Sequence, residues 1–95
     1  MLTHIVCFKY KPSVDGATRE RHRAMIRSLA DMDGIVDLKV GADVVRQTRS
    51  YDTAILATFR DRAALDAYTA HPRHLPVVEF AKPITEQIVS VDFED

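Results

Sequence analysis

A chain of 95 residues makes one domain, and at this size folding removes only roughly 60 to 65% of the unfolded surface from water, so a single copy has a modest core. With 46% hydrophobic and 28% charged residues, three glycines and four prolines, the composition excludes a disordered or fibrous chain. A formal charge of -1 argues against a nucleic-acid partner, which needs several clustered cations, and no run reaches the roughly 18 apolar residues of a membrane span.

The chain enters directly into "THIVCFKY" (3–10), where β-branched and aromatic residues alternate. His4, Val6, Phe8 and Tyr10 share one face of this predicted strand; Ile5, Cys7 and Lys9 share the other. No charged leader or long apolar run precedes it, and the lone Cys7 cannot close an intrachain disulfide, so a reducing, cytoplasmic setting is expected. Pro12 ends the strand. Asp15 is the expected N-cap of a helix running to about Asp33, with Gly34 as its left-handed stop. Met25, Ile26, Leu29 and Met32 form its apolar stripe, and His22 falls in phase with them. The basic run around "RERHRAMIR" includes Glu20 and reads as a solvated face.

"IVDLKVGADV" (35–44) alternates as a half-buried strand, and "VRQTRSYD" follows as a polar loop. "DTAILATFR" (52–60) is nearly continuous in apolar or small residues, as a central strand covered on both sides would be. Asp61 caps a short helix through "RAALDAYTA", and Pro72 is expected in the first turn of another, placing His71 at its N-cap and His74 near its third position. Pro83 closes that helix. "ITEQIVSVDFE" (84–94) is the last strand, with Val89, Val91 and Phe93 on one face and Ile88, Ser90 and Asp92 on the other.

The order β, α, β, β, α, α, β predicts an α+β fold, an antiparallel sheet with its helices on one face. Ile5, Cys7, Ile55, Ala57 and part of the Val89 set cannot all face those helices, so the opposite face would be a broad exposed apolar patch. Pairing two such sheets about a twofold axis removes it, and a homodimer through the sheet faces is expected.

"YDTAILATFRDRAALDAYTAHPRH", the terminal "VSVDFED", the opening "THIVCFKY" and "DLKVGADV" together resemble the stress-responsive A/B barrel (Dabb) family over essentially the whole chain. The most specific elements are the His-Pro-x-His that follows a tyrosine, and the Asp-Phe-Glu near the end. The resemblance implies a ferredoxin-like unit with a four-stranded sheet that dimerises into an α+β barrel. A plant polyketide cyclase of that family works without a cofactor, and by resemblance its working groups fall on His4, Tyr68 and His74. Its first-helix aromatics are replaced here by His22, Arg23 and Ile26, so the resemblance does not carry over polyketide specificity.

Residue chemistry points the same way. A neutral His74 can accept a proton beside a carbonyl, Tyr68 can donate to the oxygen that gains charge as an enolate forms, and His4 can orient both. Val6, Phe8, His22, Ile26 and His71 are the expected contacts of a small apolar carbonyl ligand. No cofactor is implied, because no G-x-G-x-x-G, Walker loop or G-x-S-x-G occurs. A metal held by His71, His74 and His4 is the weaker reading, since no H-E-x-x-H or C-x-x-C accompanies them. The remaining alternative is a noncatalytic homodimer, structural or stress-associated, whose histidines are caps. A hollow shared by His4, Tyr68 and His74 separates the two readings.

Overall fold

The computed structural model describes residues 1–95 as β1 (Leu2–Tyr10), α1 (Gly16–Arg27), β2 (Ile35–Ala42), β3 (Thr53–Phe59), α2 (Arg62–Thr69), α3 (Leu75–Ala81) and β4 (Thr85–Glu94). All neighbouring strands are antiparallel, in the order β2-β3-β1-β4, the ferredoxin-like arrangement. The molecule measures 36 × 27 × 17 Å, and its thinnest dimension holds one sheet and one helical layer.

Alternation along β1 sorts its side chains as expected. Leu2, Val6, Phe8 and Tyr10 are buried beneath the helices with His4 half-buried among them, while Ile5 and Cys7 lie on the opposite face. In β3 the phase differs from expectation. Ile55 and Ala57 are buried on the helix side, and Leu56 takes the outer face beside Ala54. A run apolar at nearly every position gives periodicity nothing to lock onto, so only strand pairing fixes which set points inward.

Two helix boundaries also move. Asp15 caps α1, its carboxylate accepting from Thr18 N–H at 2.7 Å, but α1 ends at Arg27 rather than near Asp33. Beyond it the backbone tightens into i→i+3 bonds, Leu29 N–H to Ile26 O, Ala30 N–H to Arg27 O and Met32 N–H to Leu29 O, which keep Leu29 and Met32 buried. Gly34 then reverses the chain at φ +88°. The last helix starts at Leu75 with Pro76 in its first turn, not at Pro72. Residues 72–74 form a separate turn in which His71 O accepts from His74 N–H and Leu75 N–H. No helix is long and apolar enough to cross a membrane.

Candidate active site

β1 runs through the middle of the sheet, so a residue on its helix-facing side is flanked by two neighbours. His4 pairs with Ala57 on β3 and Asp92 on β4. Alanine leaves the imidazole room, and the Asp92 carboxylate accepts a hydrogen bond from His4 Nδ1. That bond places a ring proton on Nδ1 and fixes the orientation of the imidazole. The ring stands edge-on to Phe59 at 5.8 Å and to Tyr68 at 6.4 Å between centroids.

Tyr68 arrives from above. Asp61 caps α2 by accepting from Ala64 N–H at 2.8 Å, and α2 then buries Ala64, Leu65 and Tyr68 against the sheet. Burial alone pushes the Tyr68 hydroxyl up to about 12, so it remains a protonated donor at any ordinary pH. The turn after α2 brings His74 back over the phenol, with ring centroids 4.3 Å apart. His74 Nδ1 lies 3.1 Å from Thr69 O and must donate to it, which leaves Nε2 unprotonated in the neutral ring. Burial holds His74 below the usual histidine value, the Thr69 carbonyl opposes this, and the nearby His4 adds to it. His74 is the N-cap of the seven-residue α3, is itself in helical conformation, and makes no side-chain cap bond to it.

These side chains border a cavity of about 330 Å³ between the sheet and α2–α3. Val6, Phe8 and Ile55 line its floor, His22 and Ile26 of α1 one wall, and Val77, Val78 and Ala81 its roof. Of the residues expected from sequence, His4, Tyr68, His74, Val6, Phe8, His22 and Ile26 therefore share one hollow. His71 does not. It is exposed outside the cavity, and its Nδ1 accepts from Arg73 N–H at 3.0 Å as a turn cap. Sequence reasoning placed His71 at a helix start because Pro72 suits a first turn, but Pro76 is the proline that takes that place.

Three contributors escaped the sequence reading. Asp92 sits on the Ile88–Ser90 face of its strand, but without the β1–β4 register nothing ties it to His4. Thr69 acts through its carbonyl, which no side-chain pattern reveals. Arg73 fastens the His74 turn to the end of α1, donating to Ser28 O at 2.7 Å and Asp31 at 2.9 Å. No three His, Cys, Asp or Glu side chains are arranged to hold a metal ion. A second hollow of about 350 Å³ lies on the other sheet face around Cys7, Gly41 and Tyr51, and no histidine lines it.

The model of the stress responsive A/B barrel domain matches residues 2–95. The chain belongs to the Dabb family. The stress-response A/B barrel domain-containing protein DABB1 of Arabidopsis thaliana is 30% identical over 98% of this chain, which spans 46% of that protein's length. A dimeric ferredoxin-like protein of unknown function from Thermobifida fusca superposes with a TM-score of 0.90 at 24% identity, covering 99% of this chain and 90% of the other. The hydroxynitrile lyase of Passiflora edulis superposes at 0.86 with 21% identity, covering 97% and 90%. Both structures share the fold of this chain, and the Thermobifida protein is dimeric.

Proposed function

We propose that the cavity binds a small, largely apolar carbonyl compound and moves a proton next to its carbonyl without a cofactor, as in lyase, cyclase or isomerase chemistry. The observation that carries this reading is the His74–Tyr68 pair: a neutral imidazole with its free nitrogen fixed by Thr69, its ring tilted 36° over a buried phenol 4.3 Å away that stays protonated. His74 Nε2 removes the proton from the carbon beside the carbonyl. The Tyr68 hydroxyl donates to the oxygen as negative charge develops there, in an apolar site where such a bond is stronger than in water. His4, oriented by Asp92, braces the pair from the sheet, and the proton returns from His74 in the reverse step. The Passiflora neighbour, named a hydroxynitrile lyase, is consistent with an enzyme on this fold, but the case rests on the residues of this chain.

Deuterium exchange into octan-2-one beside its carbonyl, followed by proton NMR in D2O, tests this reading. The wild-type protein should accelerate the exchange, and His74→Ala and Tyr68→Phe should each reduce that acceleration by about 100-fold or more. Exchange that is equally fast in both variants would overturn the assignment.

We also propose that two copies pair through their outer sheet faces. Leu56, Ile5 and Val91 form one row across β3, β1 and β4, and Ala54, Cys7 and Val89 form the next. Leu56, Val89, Val91 and Phe93 are exposed in the single chain. A contiguous apolar sheet face of this kind is what sheet-on-sheet packing buries.

A further inference from the structure

At the far end of the cavity from His4, one buried polar atom has no partner. His22 is 0% exposed, its ring packs edge-on against Phe8 at 4.8 Å and Tyr10 at 5.6 Å, and its Nε2 makes no hydrogen bond within the protein. Nδ1, by contrast, sits 2.7 Å from the Tyr10 hydroxyl, which lies 3.0 Å from Thr53 Oγ1. Arg23 Nη1 donates to that same oxygen at 2.8 Å.

The fewest unmet groups decide the direction of this chain. Arg23 can only donate, so Thr53 Oγ1 accepts, and the Thr53 hydroxyl hydrogen is free to go to Tyr10. Tyr10 then gives its own hydrogen to His22 Nδ1. Burial, with Arg23 adding to it, lowers His22 to about 4, so the ring is neutral near pH 7 and carries a single N–H. With Nδ1 accepting, that hydrogen is on Nε2. Running the chain backwards would send the Tyr10 hydrogen to Thr53 and strand the Thr53 hydrogen as well, leaving two unmet groups instead of one.

We propose that the ligand of this cavity is elongated and carries a second hydrogen-bond acceptor, a carbonyl, ether or hydroxyl oxygen, which takes the Nε2–H of His22. The inference rests on the carbonyl reading of the His74–Tyr68 end and adds the opposite end to it. His22 packs on Phe8, four residues beyond His4 along β1, so the two ends lie roughly 13 Å apart at the level of the backbone. The wall between them is mostly apolar, with Ser90 of β4 as a polar exception beside Val6, which favours a largely hydrocarbon link. The unmet donor also discriminates: a ligand without an acceptor at that end leaves it unpaired, whereas one with an acceptor satisfies it.

Decan-2-one and decane-2,9-dione form a matched pair of probes, the dione's carbonyl carbons being about 9 Å apart across seven zigzag bonds of about 1.5 Å. NMR titration of the intact protein should show the dione binding about tenfold more tightly, the effect of one hydrogen bond to a buried donor. His22→Phe should erase that preference by weakening the dione alone, and His22→Gln, which keeps an N–H, should restore part of it. Independently of any ligand, nitrogen shifts of the wild-type His22 ring should show the proton on Nε2. A proton on Nδ1, or equal affinities for both ketones while both perturb His74, would overturn this inference and leave the carbonyl reading standing. Failure of both ketones to bind would overturn both readings.

Discussion

A histidine works as a base only while it is neutral, and here burial keeps it so. His74 sits below its ordinary value of 6.5, so the proposed proton transfer should gain rate as pH rises through that depressed value and level off well before Tyr68 ionises near 12. A pH profile of deuterium exchange with a single acid limb below 6.5 is the expected outcome. Asp92→Asn should keep the shape of the cavity but allow the His4 ring to turn or change tautomer, reducing exchange about tenfold without moving that limb. Burial of His22 has a stability consequence. Its folded value is about 4 against 6.5 unfolded, so the unfolded chain binds the extra proton more readily. The stability this contributes is complete above pH 6.5 and is lost as pH falls towards 4, by up to about 3 kcal/mol. Urea titrations between pH 7 and 4.5 should show that slope in the wild type, and it should be flatter in His22→Phe. At this scale the sequence made the residue types legible, because strand alternation and helix phase both aim a side chain. Partners reached across the sheet, such as Asp92, or through a carbonyl, such as Thr69, depend on register and turn geometry that the residues alone do not encode.

Elements hold these side chains through a few tight junctions, and Gly34 is the tightest. It combines φ +88° with an approach to α2 so close that an added Cβ would sit 2.7 Å from the Ala64 Cβ. Gly34→Ala should therefore strain the backbone and push α2 away from the sheet together. A loss of about 2–4 kcal/mol by urea denaturation is expected, more than left-handed strain alone would give. That both Asp15 and Asp61 cap helices was readable, because an acidic residue ahead of an apolar stripe satisfies otherwise unpaired N–H groups. The end of α1 was not readable, since i→i+3 turns at 28–33 keep Leu29 and Met32 facing inward almost as a helix would. The start of α3 was obscured by two prolines, Pro72 and Pro76, either of which suits a first turn. The structure places the first of them in the turn that carries His74.

For the whole molecule, the question is what covers the second face of the sheet. A single copy with 18 buried residues among 95 has one thin core under its helices, and the row Leu56–Ile5–Val91 lies outside it. An apolar second face was legible in β1 and β4, where alternation puts apolar residues on both sides of the sheet. The identity of its β3 member was not, because "TAILATF" is apolar or small throughout and either phase looks buried. The pairing phase selects Leu56, which has a direct test. Leu56 and Val91 are 45% and 61% exposed in the single chain, so lysine at either position costs the isolated fold little. Between two sheets packed about 10 Å apart, the same ammonium group would lose its water without gaining a counter-charge. Sedimentation velocity should find the wild type at twice its 10.7 kDa chain mass and the Leu56→Lys/Val91→Lys variant at the single mass with an unchanged circular dichroism spectrum. A double variant that still sediments as a dimer would place the subunit contact elsewhere, and a wild-type monomer would leave this apolar face without the partner its residues call for.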